Sequence, residues 1–128
     1  MATGDYKRAK EISEKTKEKV LKRQEGRSIT GVMLYPGNTD FHHVRFRSDS
    51  GVGYEWNVVA ITREEHSCYH DHLPIKVNGR ERYTWDEFNT LIKNHLILRY
   101  KNWEWDKCRY HKYWKEEDYG IVARSGSL

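Results

Sequence analysis

Residues 40–72 read DFHHVRFRSDSGVGYEWNVVAITREEHSCYHDH, and five of the seven histidines of the chain (His42, His43, His66, His70 and His72) fall inside them. From Asp40 to Phe46 the pattern predicts a strand. Phe41, His43 and Arg45 would share one face, and His42, Val44 and Phe46 the other. Residues 47–53 carry Ser, Asp and two Gly, which makes them a loop, and 56–61 (WNVVAI) suit a second strand. Thr62 and Glu65 have the spacing of a capping box, so a helix should open there and run to about His72, with Pro74 beyond it. The stretch therefore predicts strand, loop, strand and helix in succession.

That order gives the histidines a chemistry. His66 and His70 stand at i and i+4 and project from one helical face. Two imidazoles so placed can grip one metal ion if a third ligand arrives from elsewhere, and His42 on the hairpin can supply it. Three protein ligands with an open position is the layout of a catalytic metal site. His43, next along the strand, points to the opposite face, where a neutral imidazole off the metal is suited to take a proton from water. Arg45, on the face of His43, and Arg47 beyond it are candidates to meet a phosphate. His72 should face solvent, His95 should pack on the apolar stripe of its own helix, and Cys68 should face away from the metal. His111 carries no readable role.

Outward from this centre the chain is simple. Residues 13–26 predict a helix with Ser13 as N-cap and Gly26 as stop, its lysine-rich face a solvated surface. Residues 27–35 suit a short strand closed by the turn at Pro36, Gly37 and Asn38. Residues 75–83 predict a hairpin about Asn78-Gly79, and Thr84 and Glu87 cap a further helix whose apolar face holds Trp85, Phe88, Leu91, Ile92 and His95. From Tyr100 to Tyr119 aromatic and basic residues interleave, and the expectation is a helical segment whose rings enlarge the core.

Composition sets the limits. At 128 residues and 37% hydrophobic content, the expectation is one domain, 1–128, with a modest core. A net charge of +4 allows an anionic partner. Two cysteines, Cys68 and Cys108, exclude a disulfide scaffold or a four-cysteine zinc site. No apolar run approaches the roughly 18 residues of a membrane span, and no secretory signal precedes the first helix. The expected compartment is cytoplasmic, with no membrane partner.

The pair His42-His43, then Asn57, then His66 and His70, resembles the ββα-metal (His-Me finger) motif of the HNH endonucleases. It is most similar to the all-histidine form of colicin-type DNases, and the surrounding text resembles small phage and prophage HNH proteins. The resemblance implies an α+β fold with a ββα-metal core at about 39–72, an N-terminal helix and a C-terminal helical, aromatic-rich extension. It implies His43 as general base, His42, His66 and His70 as metal ligands, and Asn57 as the residue that holds the loop and base. Many such proteins carry two Cys-x-x-Cys knuckles for a second, structural zinc. The matching positions here are Ser28, Gly31, Thr62 and Glu65, so one ion per chain is expected.

The function implied is a metal-dependent DNA endonuclease that nicks duplex DNA, leaving 5′-phosphate and 3′-hydroxyl ends. Arg45 would serve catalysis and, with Arg47, DNA binding. The cofactor is one divalent ion: imidazole ligands favour Zn²⁺ or Ni²⁺, and the resemblance adds Mn²⁺ and Mg²⁺. DNA is the expected partner, with a homodimer or a phage packaging partner as candidate assemblies in a bacterial host cell. The alternative is a non-catalytic, metal-stabilised DNA-binding module.

Overall fold

The computed structural model describes residues 3–124. The fold is α+β, with short antiparallel sheets and helices around them. In chain order the elements are α1 (Thr3–Lys10), α2 (Glu14–Arg23), β1 (Thr39–His43), β2 (Val58–Thr62), α3 (Arg63–His70), β3 (Ile75–Val77), β4 (Arg80–Tyr83), α4 (Trp85–Arg99), β5 (Tyr100–Lys101) and β6 (Val122–Ala123). Among the described residues no helix is long and apolar enough to cross a membrane.

β1 and β2 pair antiparallel, with Asp40 opposite Ile61, His42 opposite Val59 and His43 opposite Val58. β2 is buried along its whole length because both faces are covered. Val59 and Ile61 join the main core with Phe88, Ile92 and Leu96 of α4, while Val58 and Ala60 pack with Val20 of α2. The Gln24 amide runs along β2 as a substitute strand: Nε2 donates to Ala60 O at 2.9 Å and Ala60 N donates to Oε1 at 3.0 Å. Arg23 beside it donates to the carbonyls of Glu55 and Val58 and to His95 Nε2, tying α2 and α4 to the start of β2.

The capping boxes form as the sequence predicts, at Thr62 with Glu65 and at Thr84 with Glu87. The β3–β4 hairpin turns at Asn78 and Gly79, both at positive φ as a type I′ turn requires. α3 stops at His70, short of the expected His72. The physical reason is a left-handed residue at His72 (φ 54°), which lets Leu73 N–H bond Cys68 O and His72 N–H bond Tyr69 O.

Two further expectations need correction, and one helix has no counterpart in them. Residues 27–35 do not form a strand; they turn back at Gly31, and a single bridge joins Arg27 to Met33. A helix at Thr3–Lys10 went unread in a stretch with little apolar periodicity. The segment after Tyr100 is not an α-helix but irregular, with 3₁₀ turns at Trp105–Cys108 and Glu116–Tyr119. Its rings bond the backbone instead: Trp103 Nε1 donates to Trp56 O and Trp56 Nε1 to Lys107 O, each at 2.8 Å. The rings enlarge the core only in part, since Tyr119 is buried and Tyr113 is 84% exposed.

Candidate active site

The pleat of β1 separates its two histidines. His42 is buried, and its ring packs against Tyr69 at 4.9 Å and His66 at 5.2 Å between centroids. Its Nε2 is buried and has no hydrogen-bond partner among the described residues. Burial, and then the neighbouring imidazoles His66, His70 and His43, push its pKa down to about 3, so the ring is neutral. A buried imidazole nitrogen is unfavourable unless a donor, an acceptor or a metal ion engages it.

α3 carries His66 and His70 one turn apart, with their Nε2 atoms 3.1 Å from each other. Asp40, two residues before His42 on β1, lies 2.9 Å from His66 Nδ1. A carboxylate accepts there, so the Nδ1 of His66 carries the proton and its Nε2 presents a lone pair. This is the arrangement by which outer carboxylates fix metal-binding histidines. The donor set therefore fits a borderline ion such as Zn²⁺ or Ni²⁺. As the side chains stand, no three His, Cys, Asp or Glu groups among the described residues converge on one point. His66 and His70 instead satisfy each other by a hydrogen bond.

His43 is oriented from the opposite direction. Its Nε2 lies 2.7 Å from the backbone carbonyl of Lys10, at the end of α1. A carbonyl only accepts, so Nε2 bears the proton and Nδ1 bears the lone pair. Burial lowers the pKa of His43; the Lys10 carbonyl opposes that shift, and the charges of Arg47 and Lys10 reinforce it. The end of α1 is itself seated by Gly53, whose N–H donates to Ala9 O at 2.8 Å. A Cβ on Gly53 would lie 2.1 Å from Glu11 O, so only glycine permits this approach. Lys10 Nζ also donates to Arg47 O, and the Tyr6 hydroxyl bonds Ser50 Oγ at 3.0 Å.

A cleft of about 420 Å³ brings together His42, His43, His66, His70 and Arg47. Asn57 stands behind it, fully buried. Its Nδ2 donates to the carbonyls of Arg45 and Val52, and its Oδ1 accepts from Arg45 N at 2.7 Å. It pins the loop that follows β1, and its polar atoms are spent on that backbone.

Arg45 is not beside His43. Its Nε pairs with Asp49 at 3.0 Å, its NH1 donates to Trp105 O, and its guanidinium lies 5.1 Å from the Trp105 ring. β1 ends at His43, so the alternation that would have kept Arg45 on that face stops before reaching it. His72 is exposed as expected, yet it stacks on Trp85 at 4.3 Å. His95 is partly buried and accepts from Arg23, and Cys68 lies in the core. His111 stacks on Trp114 at 4.0 Å.

Ser28, Thr30 and Thr62 come together at Glu65. Glu65 is wholly buried and accepts from Ser28 Oγ at 2.5 Å, from Thr62 N at 2.9 Å and from Thr30 Oγ1. A hydrogen-bonded carboxylate thus ties residues 28–30 to the start of α3. Asp40 and Lys10 are the site residues that sequence reasoning missed. Asp40 had a signal, since period 2 puts it on the face of His42; the Lys10 carbonyl, a backbone atom, had none. No family model, curated protein or solved structure matches this chain.

Proposed function

We propose that this chain is a metal-dependent DNA endonuclease of the HNH type, with β1, β2 and α3 as its ββα-metal core. One observation carries the reading: a single cleft is lined by His42, His66 and His70 together with His43. Their hydrogen-bond partners, the Asp40 carboxylate for His66 and the Lys10 carbonyl for His43, leave a lone pair on His66 Nε2 and on His43 Nδ1.

In this reading His42, His66 and His70 would hold a divalent ion, which when bound neutralises charge on the phosphate and the departing oxygen. His43 takes a proton from water at Nδ1, and the Lys10 carbonyl steadies the resulting imidazolium through Nε2–H. The water oxygen attacks phosphorus in line as the bond to the 3′ oxygen breaks; that oxygen takes a proton from solvent water, leaving a 5′-phosphate and a 3′-hydroxyl. Arg47, at the lip of the cleft, meets the phosphate, and Arg45 braces the loop that carries Arg47. Asn57 holds that loop still.

The test is nicking of supercoiled plasmid by wild type and His43→Ala across Zn²⁺, Ni²⁺, Mn²⁺ and Mg²⁺. Nicking by wild type and its near loss in the variant are expected. Absence of nicking with every ion overturns the reading.

A further inference from the structure

On the far side of Phe46 from the histidines lies a larger groove, about 600 Å³, between α3, α4 and the loop after β1. Its walls include Phe46, Tyr69, Trp85 and Trp105. We infer that this groove is a nucleobase subsite, which takes one unpaired base of the strand whose phosphate occupies the histidine cleft. The inference rests on the endonuclease reading for its choice of strand, and on the groove itself for its choice of base.

Adjacency comes first. Phe46 lines both the groove and the cleft; its ring stacks on His70 at 6.4 Å and meets His42 at 6.0 Å. Tyr69 lines the groove and touches His42. Phe46 is thus a wall common to the two spaces, so one nucleotide can place its phosphate in one and its base in the other.

Lining chemistry comes second. Phe46 and Trp105 are each 40% exposed, and the Arg45 guanidinium lies 5.1 Å from the Trp105 ring. Trp105 is held in place by Arg45 at its carbonyl and carries the Lys93 ammonium 4.8 Å from its ring. Such a surface suits a flat, polarisable ligand. Asp49 and Asp86 also line the groove and can accept from exocyclic amino groups of adenine, cytosine or guanine. Asn89 is fixed between Tyr69 and Trp85, so the floor is preorganised. A base within a duplex cannot reach such a groove, so the subsite selects single strands, bulges or extruded bases.

The experiment measures binding in chelator, with no cleavage, by anisotropy of labelled single-stranded oligonucleotides. The probes are an intact strand and the same backbone with abasic tetrahydrofuran residues. Wild type should bind the intact strand about tenfold more tightly, the scale of one base–aromatic stack. Trp105→Ala should erase that difference without weakening the abasic strand. Thr90→Arg, at an exposed position on α4 that lines the groove, should do the same by filling it. Equal affinity of wild type for both strands, no binding of either, or base preference surviving in both variants overturns the subsite. Plasmid nicking separates the two ideas. Nicking without base preference leaves the endonuclease and removes the subsite. Base preference without nicking removes the endonuclease and leaves the subsite.

Discussion

Replacing Glu65 with alanine probes the joint that stands where the resemblance would put a structural zinc. The wild-type carboxylate is fully buried and accepts three bonds, from Ser28 Oγ, Thr30 Oγ1 and the Thr62 backbone. Truncation leaves Thr62 N–H buried with no acceptor, a loss of about 2 kcal/mol for a bond to a charged group. The two hydroxyls lose less, about 0.5 kcal/mol each, because Thr30 Oγ1 lies 3.3 Å from Ser28 Oγ and the pair can turn to each other. Losing one buried methylene adds about 0.8 kcal/mol. The sum is about 3–4 kcal/mol, a large share of the roughly 5–15 kcal/mol that a domain has. With a urea m-value of about 2 kcal/mol/M, the unfolding midpoint should fall by roughly 1.5–2 M. Glu65→Gln keeps an acceptor for Thr62 and Ser28 and disturbs only the Thr30 side, so about 1 kcal/mol is expected. Tryptophan fluorescence in urea reads both variants. An alanine variant within 1 kcal/mol of wild type would refute the view that this carboxylate joins residues 28–30 to α3.

Substitutions at the candidate centre should separate chemistry from metal binding. His43→Ala should lower nicking about 10²–10⁴-fold while calorimetry still finds one ion per chain; His66→Ala should weaken metal binding and nicking together. Loss of the ion in His43→Ala would reverse the assigned roles. Gly53→Ala puts a Cβ against Glu11 O, pushes the end of α1 away and frees His43, so nicking should drop with metal affinity unchanged. Wild-type activity in this variant would show that α1 does not hold the base. Burial, then the charges of Arg23 and Arg99, hold the pKa of His95 at about 3, against about 6.5 in an unfolded chain. The unfolded state therefore binds more protons between those values. Stability from this group is complete above pH 6.5 and declines as pH falls toward 3. Melting temperature in chelator should drop from pH 7 to pH 4, and less so in His95→Gln; a flat profile for wild type contradicts this.

Much of the centre was legible in the sequence because its signals are local. Alternation along Asp40–His43 set His42 and His43 on opposite faces, and the Thr62 and Glu65 spacing started α3 where His66 and His70 share a side. Asn78-Gly79 and Thr84 with Glu87 marked their turn and helix in the same way, since these motifs satisfy backbone groups within a few residues. Where local periodicity was absent, reading failed. Residues 27–35 resembled a strand by composition, yet the hydroxyls of Ser28 and Thr30 go to Glu65, far along the chain. The aromatic run after Tyr100 is shaped by Trp56 and Trp103 bonding distant carbonyls, and no spacing rule encodes those bonds.

Local patterning places the histidines on β1 and α3. Contacts between distant parts of the chain fix which partner each one meets. Arg45 was drawn off to Asp49 and Trp105, and Asp40 was brought to His66. The Lys10 carbonyl reached His43 because Gly53 leaves room for α1 to approach. The physical reason is range. Helix caps, turns and strand alternation depend on neighbours a few residues apart, whereas the tautomer of a buried imidazole depends on whichever distant acceptor the folded chain places against it.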